Sequence, residues 1–322
     1  MLKELRTIEF LRPYFGIKSI NNINDLHDFF MKIQRNNDFN SFYVLNFLHN
    51  FICKKEVYKT KSSAEYFEYF FGAMFGGEIA DTTKRKNLNY EVPDFFVNVK
   101  DKIASNKREK ADIIFSDNYA ISLKTLILDN LELNLGSFEK KVLFDGFGLN
   151  TFLSERKSES GVGLGSVAQL SNLLSILKNN KKLDIFYDKF KKMIKFIFSH
   201  DLILAIKNDV SLDFYFFSGD EIYNIFSSFC DDINLVKIVN RYEGNSIRIN
   251  RNILLEKCSK KVILKFDKLN GSILELINEF DEKLHKNYAR FFNGDSNAYK
   301  EIKNDLDILF KEFNKRIWKW IK

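Results

Sequence analysis

Apolar residues recur along this chain with two different periods, and the changes from one to the other mark out its elements. From Asp25 to Arg35 they fall at Leu26, Phe29, Phe30 and Ile33, the spacing of one buried helical face. From Phe42 to Ile52 the run is apolar almost throughout, which predicts a buried helix. A third helix follows Ser62-Ser63, either of which can cap it, with Glu65 in its first turn and Gly76-Gly77 to end it. His27 and His49 fall inside the first two helices and read as structural. The period then shortens. Ala111–Phe115 and Tyr119–Leu126 are rich in Ile, Leu, Phe and Tyr, and Ser116-Asp117-Asn118 between them has turn chemistry, so two short antiparallel strands are expected. Asp129–Ser137 alternates polar and apolar residues before breaking at Gly136.

Helical spacing returns over Val167–Lys178 and Leu183–Phe198. Two apolar strands follow, Leu202–Ile206 and Leu212–Phe217, then a short helix from about Asp220 and a hairpin around Glu243-Gly244-Asn245. Two long helices, 272–292 and 297–321, close the chain. The expected fold class is α/β, with a central mixed sheet flanked by helices. A helical N-terminal part over 1–60, a core over 61–210 and an α+β C-terminal part over 211–322 would divide it. No internal repeat and no Pro/Ser-rich linker marks a sharper boundary.

Composition narrows the class. With 322 residues, 45% hydrophobic and 29% charged, the chain can bury a sizeable core and is not expected to be disordered. Its 34 phenylalanines and 2 prolines, beside abundant Lys, Asn and Ile, suggest AT-rich coding, so most aromatics read as core. A net charge of +7 and a pI near 9.0 favour an anionic partner such as nucleic acid. The 3 cysteines, widely spaced and without a CxxC, argue for a reducing compartment and against a disulfide framework or structural zinc. The opening MLKELRTIEFLRPYF is too charged for a signal peptide, and no apolar run approaches the ~18 to 20 residues of a membrane span. A cytoplasmic protein without membrane contact is therefore expected.

The chemistry concentrates on the first hairpin. If its turn centres on Asp117, Asp112 stands opposite Ser122, and Lys124 is its diagonal neighbour at roughly 7 Å on the same face. Such a pair can hold a divalent metal on the acid, while the lysine orients a water or offsets charge building on a phosphate. These residues resemble the motif of the PD-(D/E)xK nuclease superfamily, and among its members the type II restriction endonucleases. Asp112 stands for the first acid and Ser122-Leu123-Lys124 for an SxK variant of the (D/E)xK part, while Pro93-Asp94 lies far from Lys124.

The resemblance implies a restriction-endonuclease-like sheet and Mg²⁺-dependent, site-specific hydrolysis of double-stranded DNA. It also implies a homodimer matched to a two-fold target. Asp112 would ligate the metal, Lys124 would position the attacking water and stabilise the transition state, and Ser122 would hydrogen-bond a water at the metal. Because serine replaces the second acid, another carboxylate must move in. Members of the superfamily often draw it from a helix ahead of the central strands, which here offers Glu68 and Glu65, about one turn apart on one side. Glu132 and Glu155 are the further candidates.

Basic residues flank this hairpin. Lys84-Arg85-Lys86 and the run containing Lys107 and Arg108 stand where a phosphate backbone would lie. Gly161-Val162-Gly163-Leu164-Gly165-Ser166 resembles a phosphate-cradling turn ahead of a helix but lacks the GK[ST] of a P-loop. DNA contact through Gly163, Gly165 and Ser166, with Arg156 and Lys157 alongside, is preferred over ATP or NAD. Arg241, Arg248 and Arg251 near the last hairpin suit bidentate reading of guanine. The alternative function is a non-catalytic DNA-binding protein, a replication or regulatory factor using the same basic surface without metal.

Overall fold

The computed structural model describes residues 2–17, 19–57, 59, 62–79, 111–116, 119–137, 143, 146–147, 167–243, 246–287, 289 and 298–321. Its first helices form where the apolar period requires. After α1 (Leu2–Leu11), α2 (Ile23–Arg35) opens on a capping box, in which Asn22 and Asp25 satisfy each other's backbone amide groups, and it buries Ile23, Leu26, Phe29, Phe30 and Ile33. Helix α3 (Phe39–Leu48) starts earlier than the apolar run because the Asp38 carboxylate accepts from Ser41 N at 2.8 Å. It continues into a π-helical turn, His49–Cys53. Helix α4 (Ser62–Phe75) stops at Gly76, whose left-handed φ of +77° suits glycine.

Downstream, strands and helices interleave. The chain runs β1 (Glu78–Ile79), β2 (Ile113–Ser116), β3 (Tyr119–Ile127), β4 (Glu132–Ser137), α5 (Val167–Asn179) and α6 (Leu183–Ile197). It then forms β5 (Asp201–Lys207), β6 (Ser211–Phe217), α7 (Gly219–Ser227), α8 (Leu235–Ile238), β7 (Val239–Glu243) and β8 (Ser246–Asn250). The last elements are α9 (Arg251–Glu256), β9 (Lys260–Lys265), α10 (Gly271–Asn287) and α11 (Ala298–Ile321). The architecture is mixed α/β. A mixed sheet of six strands, ordered β1-β2-β3-β5-β6-β9, is flanked by helices, and a smaller sheet has the order β4-β8-β7. Strand β9 goes beyond the sequence expectation, since Lys260, Lys261 and Lys265 leave only Val-Ile-Leu as an apolar signal.

The chain forms two compact units. Met1–Ile79, Ala205–Phe214 and Lys261–Lys322 make up the first, and Ala80–Leu204 with Tyr215–Lys260 the second. The first has an aromatic core. Phe30 stacks on Phe214 with ring centroids 4.2 Å apart, Phe67 packs on both Phe71 and Phe214, and Phe39 meets Phe280, Phe310 and Phe313. In the second, the core is mainly aliphatic, including Leu133, Leu170, Leu174, Ile194, Leu202, Leu204, Ile247 and Ile249. There Ser218 caps α7, and its first residue, Gly219, lies so close to the chain before β5 that a Cβ would collide with the carbonyl oxygen of Phe198. Among the described residues no helix is long and apolar enough to cross a membrane.

Candidate active site

The pairing of β2 with β3 fixes the geometry of the hairpin. Ile113 stands opposite Ile121 and Ile114 opposite Ala120, with an irregularity between Ile114 and Ser116. Asp112 lies just before the paired stretch, where its N donates to Ile121 O at 2.8 Å, and its side chain reaches across to residues 122–124 of β3. Residues Ala120 to Leu123 are buried in succession, so this part of β3 is covered on both faces. At Lys124 the burial relaxes, and its side chain is 30% exposed against 16% for Asp112.

Three donors converge on one carboxylate oxygen. Asp112 Oδ2 accepts from Leu123 N at 2.7 Å, from Ser122 Oγ at 2.8 Å and from Lys124 Nζ at 3.5 Å. The two short bonds fix the orientation of the carboxylate, and the longer contact sets one ammonium beside it. Ser122 is buried, and its hydroxyl donates to Asp112; its place in the site is to hold the acid.

No protein-family model, curated protein or solved structure matches the chain. The likeness to the nuclease superfamily therefore rests on the residues of this hairpin. The other candidates belong to other segments of the chain. Glu65 is exposed and Glu68 half-buried on α4, in the first unit. Glu132 opens β4, where Oε1 accepts from Asn240 Nδ2 at 3.3 Å. Arg248 is half-buried on β8, in register with Asn134 on one side and Arg241 on the other. Arg108, Glu155, Arg156, Lys157, Gly163, Gly165 and Ser166 lie outside the described residues. Among the described residues no three His, Cys, Asp or Glu side chains gather into a group that could hold a metal ion.

Two residues take roles that periodicity did not reveal. Arg251 is not a surface reader of bases. It is buried, and Nη1 donates to Leu128 O at 2.7 Å and Asn130 O at 2.8 Å, clamping the turn from β3 to β4. A guanidinium fits there because one of its NH₂ groups donates to two carbonyl oxygens of the turn at once. Asp201, at the head of β5, is bonded to Tyr119 at the start of β3, the strand that carries Lys124. One of its oxygens accepts from Tyr119 Oη at 3.0 Å and the other from Gly219 N at 3.1 Å. Burial raises its pKa against the opposing pull of these two bonds. The available signal was an acid placed directly before the apolar run Leu-Ile-Leu-Ala-Ile.

Proposed function

We propose that the chain is a Mg²⁺-dependent, site-specific endonuclease acting on double-stranded DNA, with its reacting edge at Asp112, Ser122 and Lys124. The observation that supports this reading is the meeting of an acid and a lysine on one oxygen, at the spacing of the SxK motif, where the strand emerges from the core. Mg²⁺ is commonly held by one or two carboxylates completed by substrate phosphate oxygens and water. Asp112 fits such a set as one carboxylate, and Glu132 of the same unit would supply a second. When bound, the metal would withdraw charge from the phosphate and make water more acidic.

The residues of the chain do the rest. Leu123 N and Ser122 Oγ hold Asp112 in one orientation, and Lys124 presents an ammonium to the charge that grows on the phosphate under attack. In the hydrolysis, a water oxygen bonds to phosphorus, the bond from phosphorus to the leaving oxygen breaks, and the departing alcohol gains a proton. A two-fold symmetric target would be cut by a homodimer. The chain's net charge of +7 favours the approach to DNA. Arg108, Arg156, Lys157, Gly163, Gly165, Ser166 and Arg248 are the proposed backbone and groove contacts.

A second reading, a non-catalytic DNA-binding protein, is favoured by one observation, the serine at the position of the second acid. Metal dependence separates the two. Purified protein is incubated with plasmid and phage DNA in Mg²⁺ or Mn²⁺, beside Asp112→Ala and Lys124→Ala. Discrete fragments from the wild type alone support the nuclease. Intact DNA with every metal, and binding indifferent to both substitutions, rejects it in favour of the binding protein.

A further inference from the structure

Strand β5 ends its apolar run at Lys207, which is buried in the first unit with 4% of its surface exposed. An ammonium so placed requires compensation, because removing a charge from water is costly unless it is paired. Lys207 Nζ donates to Ser63 Oγ in the first turn of α4, and that hydroxyl is itself fully buried. Among the described residues no carboxylate forms an ion pair with it.

The surrounding groups explain why. Cys53, at the end of the π-helical turn, is buried, and burial pushes its thiol pKa up. Of the acids near Cys53, Asp213 accepts from Ser211 Oγ at 2.7 Å, while Asp209 accepts from Lys55 N at 3.1 Å and lies 3.9 Å from His49 Nε2. Burial in turn lowers the His49 pKa. Each acid is thus engaged away from Lys207, and a hydroxyl is its partner.

We propose that Lys207 and Ser63 form a latch that ties the start of α4 to the end of β5 inside the first unit, and that the buried ammonium in it, only partly offset by the hydroxyl, makes the unit gain stability in mild alkali. With Lys207 neutral, amine and hydroxyl bond without a buried charge. With Lys207 protonated, the same contact carries an unpaired ammonium and the unit is weaker. Burial, opposed by the Coulombic effect of Cys53, brings Lys207 from the ordinary 10.5 down to about 8.

The sign follows from proton counting. The folded pKa is depressed, so between pH 8 and 10.5 the unfolded chain binds the extra proton, and stability rises with pH through that window. The folding equilibrium gains about fivefold between pH 8 and 9, and about 80-fold from pH 8 to pH 10.5. Cys53 acts in the opposite sense. Its folded thiol pKa lies above the ordinary 9.0, so its contribution is lost as pH climbs past that value. A comparison that leaves Cys53 in place on both sides therefore isolates Lys207.

The experiment uses the full chain labelled with ¹⁵N-lysine, following the Nζ resonances with pH, and equilibrium unfolding of wild type and Lys207→Met at pH 8 and pH 9. One lysine is expected to titrate near pH 8 and to be missing from Lys207→Met. The wild type should gain about fivefold in folding equilibrium over the variant across that step. A Lys207 resonance titrating at the ordinary lysine value, or parallel pH dependences in the two proteins, overturns the latch. If Lys207→Met does not fold, Ser63→Ala carries the resonance test. Loss of the hydroxyl should move the Lys207 midpoint lower, and an unmoved midpoint rejects the pair.

Discussion

Lys124 and Lys207 both meet a serine-containing cluster at the edge of an apolar strand, and they differ in two properties. Lys124 is partly exposed and shares its acceptor, Asp112, with Ser122, whereas Lys207 is buried and has a hydroxyl for its partner. The first arrangement keeps a charge available at a surface where a phosphate can arrive. The second makes a charge expensive and thereby turns a lysine into a group that responds to mild alkali. A lysine's chemistry is set less by its strand than by whether an acid and water accompany it.

Four substitutions test that contrast, beginning with the largest effect. Under the proposed nuclease function, Asp112→Ala and Lys124→Ala should each lower Mg²⁺-dependent cleavage by at least about 10²- to 10³-fold, measured by single-turnover digestion of a plasmid. Undiminished cleavage in Asp112→Ala would remove the acid from the chemistry, and undiminished cleavage in Lys124→Ala would remove Lys124 and leave the two lysines alike. Next comes Ser63→Ala, which strips a buried ammonium of its acceptor and should cost about 1 to 3 kcal/mol at pH 7 by urea titration. Lys207→Met should instead stabilise at that pH, because an apolar chain of similar length replaces a buried charge. Destabilisation by Lys207→Met as large as that by Ser63→Ala would mean that the ammonium is compensated, and the contrast fails.

Ser122→Ala should cost about 1 kcal/mol, since Asp112 keeps its bond from Leu123 N. The smallest effect is expected at a third kind of site. Arg316 grips Glu279 through two bonds of 2.8 and 2.7 Å on the surface of the helices α10 and α11. Arg316→Ala should cost about 0.5 kcal/mol or less at moderate salt, because water screens such pairs. The Glu279 carboxyl, held down to about 2 chiefly by its hydrogen bond to Arg316, makes the contribution one that disappears only in strong acid.

Much of the architecture was legible because its elements obey one period each. The β2–β3 register could be placed from a turn of three residues and alternating apolar positions, and α2, α4 and α6 from their stripes. What escaped was decided by contacts distant in sequence. Lys207 stands one position beyond the strand that the apolar pattern marks, and nothing local tells a buried lysine from a solvated one. Arg251 looked like a basic surface residue because the carbonyl oxygens it serves lie more than a hundred residues earlier. The N-terminal helices belong to one unit with the last two, an association carried by rings such as Phe39 and Phe313 that identical neighbours elsewhere would mimic. At the site, the hairpin's own members were visible, while Asp201 required knowledge of which strand lies next to β3.

Gly219 has a use in any survey of variants. Every other amino acid adds an atom that meets the Phe198 carbonyl oxygen, so this codon should tolerate no replacement in a screen that demands a folded chain. Its depletion profile would supply an internal yardstick. Positions that match it are lost through misfolding, and positions that vanish only under selection for activity report on the reaction itself.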